Sequence, residues 1–278
     1  MTGKDIRMIT PIKNMARKIL TEERRKSLAL RLLGGKFFIG KKNAGSRYST
    51  TVEELVRLSP PDRPVQNILA LLPHVQPEYL SSDWFWAETY YPLYSLLARA
   101  LQPKSIVEIG SLQGFSLISM LNGASSVKDT VWVDNELYLP NSNQMCYENI
   151  RFFYRTFHPH VAIPDLKFHH QTWDLLRYIH AGSFDLIHID GAHTYEGKLR
   201  DLIVCSNLRP KYIILDDYAN TANHEAIHYW AKNMKRDYAV IDTFERGLAF
   251  FDFTRDQKGF SLLKKHRIPV NETVRCDA

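Results

Sequence analysis

Short apolar runs alternate with longer amphipathic stretches through the second half of the chain. The apolar runs have the length and composition of buried strands. They predict seven strands, at residues 105–109, 130–133, 166–169, 184–189, 212–215, 238–243 and 248–253. The stretches between them predict helices at about 115–121, 143–156, 173–179, 195–207 and 224–234. This alternation predicts an α/β fold, with a mostly parallel sheet covered by helices on both faces and the last two strands added at its edge as a hairpin.

A helical region precedes the alternating part. Leu93, Leu96, Leu97 and Leu101 are spaced as the buried stripe of one helix. The aromatic segment 84–94 overlaps this helix, and its first members are candidates to roof a substrate pocket, since such pockets are largely apolar and aromatic. We predict four parts: a basic helical arm (1–47), a helical lid or cap region (48–103), an α/β domain (104–260) and a tail (261–278).

The positive charge of the chain is concentrated in the arm. Residues 1–47 hold 13 Lys or Arg against 3 Asp or Glu, whereas the remaining residues hold 23 against 27. Nucleic-acid binding by the whole protein is therefore not predicted. The segment 10–33 has the pattern of a basic amphipathic helix, which can contact an anionic membrane surface peripherally. The alternative is that it packs on its own domain or on a second copy, and we expect a homo-oligomer.

The cysteines and the N-terminus indicate the compartment. Cys146, Cys205 and Cys276 are odd in number and form no Cys-x-x-Cys pair, which argues against a disulfide framework or a structural zinc site. The N-terminus lacks the apolar core of a signal peptide. We expect a cytoplasmic protein.

Acidic side chains stand where two predicted strands end. Asp190 follows the fourth strand and Asp216-Asp217 follow the fifth, while His193 lies three residues beyond Asp190. Because the carboxyl ends of neighbouring parallel strands share one edge of a sheet, these groups can converge. Three carboxylates suit a hard cation, and a neutral imidazole suits a general base near pH 7. The simpler alternatives are a helix cap for Asp217, a turn contact for Asp190 and a loop-capping role for His193.

The turn after the first strand has the composition of a cofactor site. In Glu108-Ile-Gly110-Ser-Leu-Gln-Gly114-Phe-Ser116, the two glycines permit a tight turn and the close approach of a ligand to the backbone. Neither a Gly-x-Gly-x-x-Gly fingerprint nor a P-loop is present. Asp134 closes the second strand, where an acid can accept hydrogen bonds from ribose hydroxyls. Its alternative role is a helix cap or a loop contact.

These motifs together resemble a known family. Glu-Ile-Gly-x-x-x-Gly-x-Ser, Ile-Asp-Gly-x-His-x-Tyr-Glu and Leu-Asp-Asp-Tyr, in this order over roughly residues 84–253, resemble the class I S-adenosylmethionine-dependent methyltransferases. They are most similar to the metal-dependent O-methyltransferases acting on macrolide sugars, with catechol-type enzymes as more distant relatives. The resemblance implies a Rossmann-like, seven-stranded, mostly parallel sheet.

The resemblance also implies roles for individual residues. Glu108, Gly110 and Ser111 would face the methionine end of S-adenosylmethionine, within the motif completed by Gly114 and Ser116. Asp134 would hold the ribose, and Gln171 and Thr172 would lie near the adenine, with Asp190 also at the cofactor. Asp190, Asp216 and Asp217 would bind Mg²⁺ or another divalent cation.

The function that follows is O-methylation of a small hydroxylated molecule, such as a sugar or a glycosylated natural product. In this hypothesis a divalent cation orients and acidifies the hydroxyl, and His193 removes its proton. Two alternatives remain: a non-catalytic binding protein associated with a membrane or a complex, and a related antibiotic-modifying hydroxylase. The three aspartates do not supply the two-His-one-carboxylate triad that is typical of iron hydroxylases.

Overall fold

The computed structural model describes residues 65–276, except 83–84, 86–89, 181–183, 242–245, 256 and 269. The chain divides into two compact units, residues 1–46 and 47–278, and all described residues belong to the second. The predicted arm (1–47) and its helix (10–33) lie outside the described residues. Within the described part, no helix is both long and apolar enough to cross a membrane.

One eight-stranded sheet runs through the described unit. Its strands are β1 (Ser105–Ile109), β2 (Asp129–Val133), β3 (Asp165–His169), β4 (Leu186–Ile189), β5 (Tyr212–Leu215), β6 (Tyr238–Ile241), β7 (Leu248–Asp252) and β8 (Val270–Val274). The strand order is β3-β2-β1-β4-β5-β7-β6-β8. Strands β1 to β5 are parallel to one another, β7 pairs antiparallel with both β5 and β6, and β8 pairs antiparallel with β6.

Helices cover the sheet in two groups. They are α1 (Val65–Leu69), α2 (Pro77–Leu80), α3 (Tyr90–Leu101), α4 (Phe115–Gly123), α5 (Ser142–Phe157), α6 (Tyr195–Ser206), α7 (Thr221–Met234) and α8 (Lys258–Lys265), with a 3₁₀ helix at Thr172–Tyr178. Helices α1, α4 and α8 all pack on α3, whereas α6 packs on α7 and on the 3₁₀ helix. The leucine stripe of α3 is buried, as the sequence predicts, and joins the main core with Ile106, Trp132 and Ile214 of the sheet.

The predicted α/β class is confirmed, and the antiparallel pairing of β6 with β7 confirms the predicted hairpin. Two elements differ from the prediction. The predicted helix at 173–179 is a 3₁₀ helix of seven residues. The eighth strand, β8, lies within the predicted tail, and it escapes prediction because an edge strand with the sequence Val-Asn-Glu-Thr-Val has no continuous apolar run.

Candidate active site

The turn between β1 and α4 leaves no room for side chains at its glycines. A Cβ on Gly110 would lie 2.2 Å from the carbonyl oxygen of Asp190, and φ of Gly110 is +85°. A Cβ on Gly114 would lie 2.6 Å from Cys146 Sγ, and φ of Gly114 is +82°. Both positions therefore require glycine, and the resulting turn holds bare backbone against the end of β4. The tight turn that the sequence predicts is therefore present, and its role in holding a nucleotide-like cofactor stays a prediction.

Glu108 lies behind this turn, fully buried. Its Oε1 accepts a hydrogen bond from Ser116 Oγ at 2.6 Å and lies 2.8 Å from His188 Nδ1. Its Oε2 is buried and has no hydrogen-bond partner among the described side chains. A buried carboxylate oxygen without a donor is costly. This oxygen therefore fits a donor supplied by a ligand, as the predicted contact with the methionine end requires.

Asp134 has its carboxylate in the loop after β2. Its Oδ1 accepts hydrogen bonds from Glu136 N at 2.7 Å and Ser142 Oγ at 2.9 Å. Its Oδ2 accepts one from Leu112 N at 2.8 Å. Asp134 thus connects the cofactor turn to the end of the second strand. This is the loop contact that the sequence analysis gives as its alternative role. Because each carboxylate oxygen has two acceptor positions, Oδ2 keeps one that a ribose hydroxyl could use.

The two residues predicted near the adenine differ in their surroundings. Gln171 is exposed and directly precedes the 3₁₀ helix. Thr172 is buried, and its Oγ1 donates to Asp201 Oδ1 on α6 at 3.0 Å. Of the pair, Gln171 is the side chain open to a ligand.

The acidic residues and the histidine converge at the carboxyl ends of β4 and β5. His193 Nδ1 lies 3.0 Å from Asp217 Oδ2, and His193 Nε2 lies 3.9 Å from Asp190 Oδ1. One ligand atom from each of these three residues lies within 4.8 Å of the other two. The structure thus brings together Asp190, Asp217 and His193, as the sequence predicts.

Asp216 lies deeper than the other two aspartates and is buried. Its Oδ1 accepts the backbone N–H of Asp217 at 3.1 Å. Burial raises the pKa of Asp216, while His188 opposes this effect and the charge of Asp217 adds to it. Asp216 therefore lies behind the three-residue group.

The charges around the other two aspartates act in opposite directions. Burial and the neighbouring Asp216 raise the pKa of Asp190 well above its usual value. Burial also tends to raise the pKa of Asp217, but the hydrogen bond from His193 and the charge of Arg246 hold it below its usual value. Asp217 is thus the stable anion of the group, and Asp190 is the carboxylate with the most to gain from a cation.

Two cavities meet at this edge. The first, of about 140 Å³, is bounded by the cofactor turn, by Asp190 and Asp216, and by the aromatic residues Tyr79, Tyr90, Tyr91, Tyr94 and Phe115. The second is open, has a volume of about 500 Å³ and is lined by Asp190, His193, Asp217, Ala219, Asn220 and Arg246. The three tyrosines of segment 84–94 line the first cavity, whereas the prediction named the first members of the segment, of which Trp84 and Trp86 lie outside the described residues.

Comparison with known proteins identifies this arrangement. Residues 107–218 match the model of a family described as a methyltransferase domain. This segment of the chain is therefore similar to methyltransferase domains. The matched segment begins in β1 and ends just beyond Asp217, so it contains both the cofactor turn and the acidic edge. The predicted resemblance to class I S-adenosylmethionine-dependent methyltransferases is confirmed at this level.

Solved structures of similar proteins include three that hold a cofactor or its product. The cofactor-bound protein Rv0187 from MTB is 20% identical, with a TM-score of 0.48, over 68% of this chain and 85% of that chain. The O-methyltransferase from Bacillus cereus in complex with SAH is 18% identical, with a TM-score of 0.49, over 72% and 96%. The O-methyltransferase TomG from Streptomyces achromogenes, involved in tomaymycin synthesis and in complex with SAM, is 14% identical, with a TM-score of 0.44, over 75% and 92%. None of the curated proteins matches the chain.

Sequence reasoning misses three residues of the candidate site. His188 and Lys198 are fully buried, and Arg246 lies 3.6 Å from Asp217 Oδ1. His188 alternates with apolar residues in β4, and Lys198 follows Gly197 in a helix, so neither pattern indicates a site. Arg246 could have been identified from the sequence, because it stands in the turn of the predicted hairpin, which is expected next to β5.

Proposed function

We propose that this methyltransferase transfers the methyl group of S-adenosylmethionine to a hydroxyl of a polar small molecule, such as a sugar or a glycosylated natural product. We further propose that a divalent cation assists the transfer. The observation that carries this proposal is the pairing of His193 with Asp217 in the lining of the open cavity, which shares Asp190 with the cavity at the cofactor turn.

The His193–Asp217 pair has the geometry of an oriented general base. When His193 Nδ1 carries the proton, it lies within ion-pair distance of Asp217 Oδ2, at 3.0 Å. This contact fixes the imidazole tautomer and leaves Nε2 as the proton acceptor. The lowered pKa of Asp217 keeps its carboxylate charged, and this charge stabilises the imidazolium that forms when His193 accepts a proton.

Asp190 and Asp217 would hold the divalent cation, with water completing its coordination. All-oxygen ligation of this kind suits Mg²⁺. The raised pKa of Asp190 supports the fit, because an added cation would relieve the repulsion from Asp216. When bound, such a cation makes a nearby hydroxyl more acidic and orients it. The buried Asp216 would support this site from behind.

The lining of the open cavity supports a polar acceptor. Apart from Ala219, each side chain that lines it carries a charge or a hydrogen-bonding group. Asn220 and Arg246 line the cavity together with Asp190 and His193. Such groups suit the hydroxyls of a sugar better than a flat apolar surface does. The aromatic residues, by contrast, belong to the smaller cavity beside the cofactor turn.

The test is a methyl-transfer assay with isotopically labelled S-adenosylmethionine and a panel of sugars, glycosylated natural products and phenols. We expect His193→Asn to lower kcat by about 10²- to 10⁴-fold, the usual contribution of a general base. Binding of S-adenosylhomocysteine, measured by calorimetry, should be unchanged. His228→Asn, at an exposed position of α7, is the matched control.

Two results would overturn parts of the proposal. Full turnover by His193→Asn would remove His193 as the base. Transfer of label to nitrogen, carbon or sulfur instead of a hydroxyl oxygen would remove the reaction class. For the cation, Mn²⁺ should give a binding heat that is lost in both Asp190→Asn and Asp217→Asn, and an equal heat in all three proteins would exclude these ligands.

A further inference from the structure

A chain of buried polar side chains connects the cofactor turn with the acidic edge. Ser116 Oγ donates to Glu108 Oε1 at 2.6 Å, and the same oxygen lies 2.8 Å from His188 Nδ1. His188 Nε2 lies 3.0 Å from the hydroxyl of Tyr94. Tyr94 and Asp216 both line the first cavity, and burial together with the charge of Asp216 raises the pKa of the Tyr94 hydroxyl. We call these five side chains the buried relay.

The relay is closed to solvent along its middle. Glu108 and His188 are fully buried, Tyr94 is 1% exposed and Asp216 is 3% exposed. In such an environment a polar group that loses its partner cannot recruit water, so each hydrogen bond fixes the position of the next group. Both ring nitrogens of His188 are engaged, and its ring also packs on that of Tyr94, with centroids 4.6 Å apart.

The relay crosses the elements that carry the two halves of the site. Glu108 lies on β1, and His188 faces it on β4 in direct register. Tyr94 lies on α3, which also supplies Tyr90 and Tyr91 to the first cavity. Asp216 directly follows β5. His188 itself lines neither of the two cavities, so any effect that it has on a ligand passes through its neighbours.

We propose that His188 is a positioning residue that, through Glu108 on one side and Tyr94 on the other, couples the cofactor turn to the acidic edge. Through these side chains, the position of the Asp216 carboxylate sets the orientation of Glu108. The orientation of Glu108 in turn sets the affinity of the protein for S-adenosylmethionine and its product. The proposal depends on cofactor binding at the β1 turn, but it does not depend on the hydroxyl acceptor or on the cation.

The test is a double-mutant cycle, with the affinity for S-adenosylhomocysteine measured by calorimetry on the full chain. We expect His188→Phe to weaken binding at least about fivefold, the lower end of measured couplings between sites. Asp216→Asn should weaken binding by a similar factor in the wild-type background. In the His188→Phe background, Asp216→Asn should change the affinity by less than about twofold, because the connection is already broken.

A matched variant separates positioning from loss of structure. Tyr238→Phe removes another buried hydroxyl, one that lies 3.2 Å from the hydroxyl of Tyr218. It should lower the unfolding temperature without changing the affinity. Tyr94→Phe removes a single oxygen atom and should weaken the binding of S-adenosylhomocysteine as His188→Phe does. It replaces His188→Phe in the test if that variant does not fold.

Three outcomes would overturn the proposal. Unchanged affinity in folded His188→Phe or Tyr94→Phe would show that the relay does not position the cofactor turn. An effect of Asp216→Asn that is equally large in both backgrounds would show that Asp216 acts directly in the cavity. Absence of binding to the wild-type protein would remove the cofactor assignment and the relay's role with it, whereas an inactive protein that still binds would contradict only the proposed function.

Discussion

At the scale of single residues, the acidic edge contains a cation of its own. Lys198 is fully buried on α6, and its Nζ donates to the carbonyl oxygen of Ile189 at 3.3 Å. The charge of Lys198 lowers the pKa of both Asp190 and Asp216, against the stronger effect of their burial. A buried ammonium is tolerated only where such partners surround it. Lys198 therefore offsets part of the repulsion that a divalent cation would otherwise have to relieve alone.

Lys198→Met should destabilise the protein. The substitution removes the buried positive charge and leaves the carboxylates of the edge less compensated, which typically costs about 3–5 kcal/mol in the free energy of unfolding. Urea denaturation at neutral pH measures the change. Lys211→Met is the matched control, because the Lys211 side chain is 51% exposed and pairs with Asp185 at 2.7 Å, and we expect it to cost less than about 1 kcal/mol. Equal costs for the two variants would contradict a compensating role for Lys198.

At the scale of secondary-structure elements, one aspartate fastens α8 to the end of β7. Asp252 Oδ2 accepts the backbone N–H of Gly259 at 2.6 Å and that of Phe260 at 3.3 Å. Its Oδ1 accepts the backbone N–H and the hydroxyl of Thr254, at 2.9 and 2.6 Å. A buried carboxylate at this place satisfies the N-terminal amides of α8, which have no partner within the helix.

Asp252→Asn should loosen α8 without unfolding the sheet. The amide keeps one acceptor but places an NH₂ group against donors, so about 2 kcal/mol of the free energy of unfolding should be lost. Hydrogen exchange followed by mass spectrometry should show faster exchange in the segment of α8. Asp129→Asn, at an exposed position of β2, controls for loss of an acid, and equal exchange of α8 in both variants would contradict the fastening role.

The buried strands at the centre of the sheet could be predicted from the sequence, whereas the edge strand β8 could not. β4 and β5 are fully buried, and their apolar runs place Asp190, Asp216 and Asp217 correctly at one edge. β8 has exposed and polar positions, so the period that marks a strand is missing. The relay could not be predicted, because His188 reads as a core position and its partner Tyr94 lies 94 residues away. Such pairs depend on tertiary packing, which a local pattern does not contain.

At the scale of the whole molecule, strand order explains why cofactor and acceptor chemistry share one edge. β4 lies between β1 and β5, so the cofactor turn after β1 and the acids after β4 and β5 stand on three adjacent strands. Ligands of open α/β sheets bind beyond the carboxyl ends of such strands, near the point where the strand order reverses. The carboxylates therefore lie together where a cationic cofactor and a divalent cation would bind. Their mutual repulsion lowers the stability of the folded protein.

This repulsion should appear in the pH dependence of stability. Burial raises the pKa of both Asp190 and Asp216 in the folded state, so the folded protein holds these protons to a higher pH than the unfolded chain does. As the pH rises from about 4, the usual pKa of an aspartate, toward the raised values, the unfolded chain binds fewer protons than the folded state. The contribution of these groups to the free energy of unfolding therefore falls as the pH rises, and their effect is least unfavourable in acid.

Asp216→Asn should reverse this trend, because it removes one of the repelling charges. We expect the unfolding temperature of Asp216→Asn, relative to the wild-type protein, to increase from pH 4.5 to pH 8, as measured by calorimetry in metal-free buffer. Asp129→Asn again controls for the general loss of an acid and should show no comparable trend. A constant or decreasing difference for Asp216→Asn would contradict the raised pKa values. Added Mg²⁺ distinguishes two origins of the repulsion. If Mg²⁺ raises the unfolding temperature of the wild-type protein above neutral pH and reduces its difference from Asp216→Asn, the repelling carboxylates form the cation site. If Mg²⁺ has no such effect, the repulsion involving Asp216 is not relieved by a metal ion.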